Sequence, residues 1–373
     1  VHATTQSTNA VFAYAGARTA VMTTRGFGDT LMIMRATGRV AGLSVFERHH
    51  YRNTQKPRLL VDERDIFEVD ERMDYQGRVV VPLDEAGIRA IAGRLRERGY
   101  EAVAVAFLFS HQNAAHEKRV RDIALQMDQT IKLVLSSEIM PEAREYERTS
   151  TAVVNAYLLP KVTNYLDRFE SDVKSKAPDS TVRIMQSAGG LIDVARAQKR
   201  PVEIIESGPA AGVVAAAWLA AALGLNEVIA FDMGGTTAKA TVIEGGEFGR
   251  VYAQDVGQDI NHGSRLLQGR GYHVGVPAID IAEVGSGAGS LVHLDGVGGI
   301  SVGPMSAGAA PGPVCYGRGG TVITVTDANL VLGYLNHRHL VAGELAIDFA
   351  AAHRALAEQI AVPLEKTPTE AAH

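Results

Sequence analysis

The residues best suited to chemistry lie in the segment NEVIAFDMGGTTAKATVIEGGE, residues 226–247. Apolar residues at 228–231 predict a strand that ends at Asp232, and Gly234 and Gly235 predict a tight turn into a second strand. Adjacent glycines leave backbone N–H groups bare for an anion, and a carboxylate at a strand tip can hold Mg²⁺ through water. The pattern indicates a nucleotide phosphate site, with an ordinary Gly-Gly hairpin turn as the alternative. A Walker A loop is excluded, because GxxxxGK[ST] at a helix start is missing.

Two further features of this turn fit a phosphate site. The hydroxyl of Thr236 adds a hydrogen-bond donor beside the glycines. A side chain at Gly235 is expected to fill the space that a phosphate needs and to demand a left-handed φ.

A second candidate for anion binding is the sequence Glu206-Ser207-Gly208-Pro209, which leads into an alanine-rich helix. Unbonded N–H groups and the positive end of the helix dipole would meet an anion there. The alternative is a tight helix start in which small residues allow close packing. The apolar stretch 210–225 is too short to cross a bilayer and predicts a buried helix.

The segment 285–320 is rich in glycine. Gly285, Gly287 and Gly289 superficially suggest a dinucleotide fingerprint. The spacing of the third glycine is wrong, and the following LVHLD predicts a strand where that fingerprint needs a helix, so a Rossmann site is excluded.

Two rounds of helix followed by strand precede these segments. From Asp84, an apolar stripe at Ile88, Ile91 and Leu95 predicts an amphipathic helix, and EAVAVAFLFS after it predicts a buried strand. AAHEKRVRDIALQM and IKLVLSSE repeat the pattern. Alternating elements of this kind predict an α/β fold.

A long helical pattern begins after residue 147, and Pro160 is expected to kink or divide it. We place a domain boundary near residue 150, which gives domains at 1–150 and 151–373. The second of these contains the candidate phosphate turn.

The amino-acid composition limits the classes of protein to which the chain can belong. The chain has 373 residues, of which 46% are hydrophobic and 21% charged, with a net charge of −5. These values predict a packed globular protein and exclude a disordered chain or a coiled coil. Without a basic block, nucleic acid and membrane surfaces are not expected as partners.

The single cysteine, Cys315, excludes an internal disulfide and indicates a reducing compartment, so we expect a cytoplasmic protein. We interpret Cys315 as a small buried hydrophobe. The pairs His49 and His50, and His337 and His339, lack a third ligand at metal spacing and are interpreted as loop histidines.

Six runs, in order along the chain, carry a resemblance to a known family: SSEIMPEAREYERTSTAVVNAYLLP, MQSAGGL, ESGPAAGVVAA, FDMGGTTAKA, VGPMSAGAAPGPVCYGRGG and TVTDANLVLGYL. They resemble the A-type subunit of the ATP-dependent hydantoinase/5-oxoprolinase family, which includes the corresponding acetone and acetophenone carboxylase subunits. The resemblance implies an actin- and hexokinase-like ATPase fold with two related α/β domains. It also implies that ATP and Mg²⁺ phosphorylate a substrate oxygen, either the carbonyl of a cyclic amide or the enol of a ketone.

The resemblance also implies roles for individual residues. The turn that begins at Asp232 matches the second phosphate loop of the family, so Asp232 is a predicted catalytic residue and metal ligand. Lys239 is the other predicted catalytic residue, although many members have Asp there. It pairs with a phosphate or a carboxylate, or else is a surface lysine of the hairpin. The residue patterns and the resemblance together predict these cofactor-binding residues: Ser207, Gly208, Gly234, Gly235, Thr236, Thr237, Gly285, Gly287 and Gly289.

Two departures from the family pattern concern the ends of the chain. His2-Ala3-Thr4-Thr5 corresponds to an HGTT segment, upstream of which the family has its first phosphate loop. The glycine-rich segment near the C-terminus of the family is also missing after His373. We therefore expect a fragment truncated at both ends, with little ATPase activity of its own.

The leading hypothesis is the ATP-dependent activating subunit of a hydantoinase or oxoprolinase, which works with a B-type partner subunit in a hetero-oligomer. A ketone carboxylase subunit is the alternative within the family. A non-catalytic nucleotide-binding or scaffold relative is the alternative from another class. The substrate is expected to be a small molecule, and the sequence does not decide between a hydantoin, 5-oxoproline and a ketone.

Overall fold

The structure is a computed structural model that describes residues 1–36, 58–235, 237–256, 271–284, 286–296, 298–336, 338 and 346–373. The chain divides into two compact units. The first consists of Val1–Val228, Val242–Asp259 and Leu266–Asp280, and the second of Ile229–Thr241, Ile260–Arg265 and Ile281–His373. The predicted boundary near residue 150 lies within the first unit and inside a helix, and it stays a prediction.

The first unit contains most of the regular structure. Its helices are α1 (Gln6–Phe12), α2 (Thr30–Ile33), α3 (Glu85–Glu97), α4 (Ala115–Met127), α5 (Ser136–Ile139), α6 (Glu145–Lys176), α7 (Val194–Lys199) and α8 (Ser207–Leu223). Three short 3₁₀ helices lie at Met34–Ala36, Glu63–Asp65 and Pro201–Ile204. Its strands up to α8 are β1 (Thr19–Thr24), β2 (Ile66–Val69), β3 (Arg72–Met73), β4 (Val79–Val81), β5 (Ala102–Ala106), β6 (Lys132–Leu135), β7 (Ile184–Met185) and β8 (Leu191–Ile192).

The hairpin of β9 (Glu227–Met233) and β10 (Ala238–Glu244) follows α8, and both strands pass from one unit to the other along the chain. The first unit then adds β11 (Glu247–Phe248), β12 (Arg250–Val251), β13 (Gln254–Val256), β14 (Tyr272–Val274) and β15 (Ala278–Ile279). The second unit has β16 (Ala282–Val284), β17 (Ser290–Leu294), β18 (Ile300–Ser306), α9 (Val325–Val331), α10 (Phe349–Leu356) and α11 (Pro368–Ala372). A 3₁₀ turn at Val314–Tyr316 and a π-helical turn at Ala357–Ala361 complete it.

A four-stranded parallel sheet of order β2-β1-β5-β6 forms the core of the first unit. Successive residues of β5 alternate between two apolar clusters: Val103 packs on the side of α3 and α4, and Ala104 on the side of α6. All five residues of β5 are buried, as expected for a parallel strand covered on both faces. The predicted α/β class is confirmed.

Helix α3 forms as the sequence predicts. The side chain of Asp84 accepts a hydrogen bond from the N–H of Gly87 at 3.0 Å and caps the helix. Ile88, Ile91 and Leu95 are buried against the sheet. The cap and the stripe together explain why this element is readable from sequence alone.

Helix α6 runs unbroken for 32 residues through Pro160, so of the two predicted effects a division is wrong and a kink stays a prediction. Proline removes one intrahelical hydrogen bond. Leu158 before it, and Val162 and Leu166 after it, are nevertheless buried in the same cluster. Packing on both sides of the proline outweighs the local preference to end the helix.

Helix α8 is not buried all round, and this prediction is also wrong. Small residues line its buried face, with Ala210, Ala217 and Ala220 at helical spacing. The large apolar residues lie on the other side, where Trp218 is 72% exposed and Leu223 is 63% exposed. Composition indicated burial here, but the arrangement of small and large residues decides which face is covered. Among the described residues, every helix is too short or too polar to span a lipid bilayer.

In the second unit, one buried carboxylate fixes the start of α9. Asp327 is fully buried and accepts hydrogen bonds from the N–H groups of Val314 (3.2 Å), Cys315 (2.8 Å) and Thr324 (2.9 Å). It also accepts a bond from the hydroxyl of Thr324 at 2.9 Å. These four bonds tie the 3₁₀ turn at Val314–Tyr316 to the helix.

Asp327→Ala should lower the free energy of unfolding by more than about 3 kcal/mol, because several buried donors lose a charged acceptor at once. Urea titration followed by circular dichroism measures this. Asp348→Ala is the matched control: Asp348 is exposed and caps α10 through one bond, from the N–H of Ala351 at 2.8 Å. The control should lose about 0.5–2 kcal/mol. Equal losses in the two variants would show that Asp327 is only an ordinary helix cap.

Candidate nucleotide phosphate site

The candidate site is built on the β9–β10 hairpin. The two strands pair, and the N–H of Gly234 donates to the carbonyl of Thr237 at 2.9 Å to close the turn. The predicted strand, turn and second strand are confirmed, although β9 continues past Asp232 to Met233. Asp232 is exposed at this end of the strand.

A second glycine segment lies directly against this turn. The N–H of Ala288 donates to the carbonyl of Gly234 at 2.9 Å, and that of Gly289 to the carbonyl of Gly235 at 2.8 Å. The N–H of Gly287 in turn donates to the hydroxyl of Ser290 at 2.9 Å. The structure thus brings together the two glycine segments that the sequence analysis singled out 50 residues apart, within the second unit.

Residues that the sequence analysis did not single out hold this glycine segment in place. The backbone N–H and the hydroxyl of Thr326, at the start of α9, both donate to the carbonyl of Ala288 at 2.8 Å. The N–H of Ala307, after β18, donates to the carbonyl of Gly289 at 2.8 Å. The run TVTDANLVLGYL, which contains Thr326, carries part of the family resemblance, and that was the only sequence signal for it.

The space beside the Cα atom differs between Gly235 and Gly289. A Cβ on Gly289 would lie 2.8 Å from the carbonyl oxygen of Gly235 and 2.7 Å from the Ser306 hydroxyl, so close packing requires glycine there. A Cβ on Gly235 would find no described atom within 4 Å, and its φ is not left-handed. The expected left-handed φ at Gly235 is therefore wrong. The described residues thus leave open space at this position, which a ligand could fill.

Lys239 faces a carboxylate. It lies opposite Glu283 in the register of β10 and β16, with its Nζ 3.6 Å from Oε1 of Glu283. Its side chain is only 12% exposed, so it is not a surface lysine of the hairpin. Of the open interpretations, pairing with a carboxylate is confirmed.

Ser207 and Gly208 belong to the first unit. The buried hydroxyl of Ser207 accepts a bond from the N–H of Thr4 and donates one to the carbonyl of Thr4, both at 3.0 Å. This hydroxyl anchors the His2–Thr5 segment to the start of α8. Anion binding by the backbone of Ser207 and Gly208 stays a prediction.

Six residues named in the sequence analysis lie outside the described residues: His49, His50, Thr236, Gly285, His337 and His339. In the part of the chain that the structure describes, no group of three or more His, Cys, Asp or Glu side chains could hold a metal ion. Mg²⁺ in nucleotide sites commonly takes one or two carboxylates and completes its shell with phosphate oxygens and water. The exposed carboxylate of Asp232 fits that donor set.

Cys315 is fully buried, as interpreted from the sequence. Burial, together with the charge of Asp327, raises the pKa of its thiol far above the ordinary value. A thiol held protonated in this way is a poor nucleophile.

Comparison with known proteins finds two family models that match this chain. The family model for the hydantoinase/oxoprolinase N-terminal region matches residues 1–128, and the model for hydantoinase/oxoprolinase matches residues 148–373. The caprolactamase subunit alpha of Pseudomonas jessenii is 36% identical, over 98% of this chain and 50% of that protein. The acetophenone carboxylase gamma subunit of Aromatoleum aromaticum is 35% identical, over 100% of this chain and 50% of that protein.

A nucleotide-free structure of acetone carboxylase superposes with a TM-score of 0.77 and 28% identity, over 99% of this chain and 51% of that one. The actin- and hexokinase-like α/β fold implied by the resemblance is confirmed by this likeness. The chain spans about half the length of these three relatives.

The two glycines should respond differently to the same small change. Gly289→Ala should destabilise the protein by about 1–3 kcal/mol, because its Cβ would overlap backbone that is itself hydrogen-bonded. Gly235→Ala should stay within about 0.5 kcal/mol of the parent, since its Cβ enters open space. Thermal unfolding of both variants measures the difference, and a destabilised Gly235→Ala would show that the open space at the turn is not present in solution.

Proposed function

Since the chain belongs to the hydantoinase/oxoprolinase family, we propose that it supplies a Mg²⁺·ATP phosphate site to an enzyme that hydrolyses a cyclic amide. In this proposal, ATP phosphorylates the carbonyl oxygen of the substrate before the ring opens. A phosphorylated oxygen is a good leaving group, so water can attack a carbon that is otherwise resistant as an amide.

The observation that carries the proposal is the open backbone at Gly235. Its carbonyl is fixed by the N–H of Gly289 at 2.8 Å, while the space over its Cα is empty of described atoms. A rigid turn with room above a bare backbone is what close approach of a phosphate requires. Preorganised N–H groups of this kind stabilise charge without reorganising during the reaction.

The role proposed for each residue follows from its position in the β9–β10 hairpin. The backbone N–H of Gly235 and the hydroxyls of Thr236 and Thr237 would donate to phosphate oxygens, and Asp232 would hold Mg²⁺ directly or through water. When bound, Mg²⁺ neutralises negative charge on the phosphate oxygens. Lys239, which pairs with Glu283 on the neighbouring strand, is the second proposed catalytic residue. The remaining proposed cofactor-binding residues are Ser207, Gly208, Gly234, Gly285, Gly287 and Gly289.

A ketone carboxylase subunit is the second candidate. The chain is 35% identical to the acetophenone carboxylase gamma subunit and 36% identical to the caprolactamase subunit alpha, so sequence identity does not favour either reaction. The phosphate chemistry proposed above serves either reaction, because both place an oxygen nucleophile against the terminal phosphate of ATP. Substrate assays separate them.

A B-type subunit is the proposed partner. The names of both relatives describe them as subunits, alpha in one case and gamma in the other, which supports a hetero-oligomer. In that assembly this chain would activate the substrate, and the partner would complete the reaction.

Asp232→Ala should lower Mg²⁺-dependent ATP turnover by the complete enzyme at least a hundredfold, an effect about as large as the loss of one electrostatic stabiliser. Glu244→Ala is the matched control, because Glu244 is an exposed acid at the far end of β10 in the same hairpin. The control should keep near-normal turnover. Near-normal turnover in Asp232→Ala would contradict the assignment, and ATP binding without turnover on any lactam or ketone would favour the non-catalytic alternative.

Gly235→Val should abolish ATP binding while leaving the fold intact, because the side chain would fill the space proposed for a phosphate. Calorimetric titration with Mg²⁺·ATP measures binding, and circular dichroism checks the fold. Gly246→Val, at the other end of β10, is a poor control because Gly246 has a left-handed φ of 83°. Gly212→Val is better, since a Cβ on Gly212 also meets no described atom within 4 Å. Unchanged ATP affinity in Gly235→Val would leave the turn with a structural role only.

A further inference from the structure

The glycine segment beside the hairpin forms a four-residue turn at residues 287–290, which we call the glycine turn. The N–H of Ser290 donates to the carbonyl of Gly287 at 3.0 Å, and the N–H of Gly287 donates to the hydroxyl of Ser290 at 2.9 Å. These bonds place Ala288 and Gly289 at the centre of the turn. The peptide group between those two residues is the middle peptide group. It carries the carbonyl of Ala288 and the N–H of Gly289, and both bind partners outside the turn.

The two ends of the middle peptide group bind different parts of the second unit. The carbonyl of Ala288 accepts hydrogen bonds from the N–H and from the hydroxyl of Thr326, each at 2.8 Å. The N–H of Gly289 donates at 2.8 Å to the carbonyl of Gly235, in the candidate phosphate turn of Gly234 and Gly235. The carbonyl and the N–H of a trans peptide point in opposite directions. Thr326 therefore fixes the direction of an N–H group that it does not itself contact.

The sequence of the glycine turn permits the middle peptide group to rotate. A rotation of about 180° interconverts the type I and type II forms of a turn, and type II needs a left-handed φ at the third residue. Gly289 holds that third position and, as a glycine, adopts a left-handed φ at little cost. Its φ is not left-handed in the structure. After a rotation, the carbonyl of Ala288 would face the carbonyl of Gly235, and the hydrogen bond to the phosphate turn would be lost.

A second bond from the glycine turn orients the N–H that the proposed function assigns to a phosphate oxygen. The N–H of Ala288 donates to the carbonyl of Gly234 at 2.9 Å. That carbonyl and the N–H of Gly235 belong to one peptide group. The bond therefore directs the N–H of Gly235 away from the glycine turn. The two N–H groups at the centre of the glycine turn thus hold two successive carbonyls of the phosphate turn.

Two buried threonines at the start of α9 have different partners. The hydroxyl of Thr326, a residue that is 4% exposed, bonds to the glycine turn. The hydroxyl of Thr324, which is 0% exposed, donates to Asp327 at 2.9 Å within the capping box of the helix. The N–H of Val292 donates to the carbonyl of Ile323 at 2.9 Å, so backbone contact keeps the start of α9 beside β17 when either hydroxyl is removed.

We propose that Thr326 is a positioning residue for the phosphates of Mg²⁺·ATP, because its hydroxyl holds the middle peptide group in the orientation that bonds to the phosphate turn. The inference rests on the proposed function, since it takes Gly234 and Gly235 as the phosphate site. Thr326 acts through the glycine turn and contacts neither nucleotide nor substrate.

Calorimetric titration of the complete enzyme with Mg²⁺·ATP tests the proposal. Thr326→Val keeps the shape of the side chain and loses the hydroxyl. It should raise the dissociation constant of Mg²⁺·ATP about three- to tenfold, the effect of one neutral hydrogen bond. Thr326→Ser keeps the hydroxyl and should bind ATP as the parent does. Thr324→Val is the matched control: it should lower the melting temperature, because it loses the cap, and leave the dissociation constant unchanged.

Steady-state kinetics separate positioning from a loss of folded enzyme. Weaker phosphate binding in Thr326→Val should raise the KM for ATP, whereas a smaller folded fraction lowers the apparent kcat and leaves KM unchanged.

Hydrogen exchange without nucleotide reports on the contact between the two turns. The amide hydrogen of Gly289 should exchange faster in Thr326→Val than in Thr326→Ser, because the middle peptide group leaves the carbonyl of Gly235 more often. This readout does not depend on ATP. Equal exchange rates in the two variants would contradict the proposed role of the hydroxyl.

Three results of the titration would overturn the proposal. Unchanged ATP affinity in Thr326→Val would show that the backbone N–H of Thr326 is sufficient. Equal weakening in Thr326→Val and Thr326→Ser would show that the hydroxyl is not the group that matters. Equal weakening in Thr324→Val would show a general loosening of α9. A parent enzyme that binds no ATP would contradict the proposed function as well, whereas equal ATP binding by the parent and all three variants overturns this inference alone.

Discussion

The close approach of two bare backbone segments is the constraint on which the candidate site depends. Gly289 donates to the carbonyl of Gly235 at 2.8 Å, and a Cβ on Gly289 would meet that same oxygen at the same distance. The contact therefore exists only because residue 289 is glycine. It ties the turn of the hairpin to the segment that Thr326 holds at the start of α9, so the turn, the glycine segment and the helix form one rigid arrangement.

The first unit shows what a satisfied buried polar network looks like. Glu117 is fully buried and accepts bonds from the N–H of Phe107 at 3.1 Å and the hydroxyls of Ser136 and Ser137 at 2.6 Å. Arg148, 1% exposed, donates to the carbonyl of Phe107 at 2.7 Å and to Ser136 at 3.1 Å. These groups lie where strands β5 and β6 end, and they bind each other. Each of these buried charged groups thus has several partners inside the protein, as a group held in a low-dielectric interior requires.

Local patterns predicted those elements whose signals are local. The Asp84 cap with its apolar stripe, the all-apolar β5 and the Gly234-Gly235 turn each depend on residues close in sequence, and each was predicted correctly. A division at Pro160 and the burial of the whole of α8 were wrongly predicted because distant residues set both environments: a shared core on both sides of the proline, and small residues on the covered face of α8. The contacts of Thr326 with the glycine segment depend on tertiary placement, and spacing along the chain carries no signal for them.

The pairing of Lys239 with Glu283 changes how the charge of the hairpin should be understood. A cation at a position where many family members have an acid would by itself draw a phosphate toward residue 239. At 3.6 Å from Oε1 of Glu283, however, its charge is largely offset by a carboxylate on the neighbouring strand, and the two residues face each other in register. The pair contributes little net charge at that point. The electrostatic character of the turn then depends on Asp232 and on the backbone dipoles of the glycines, which in the proposed function hold a metal and a phosphate respectively. A hairpin that places a carboxylate two residues from a glycine turn is better suited to a metal ion and a phosphate bound together than to either one alone.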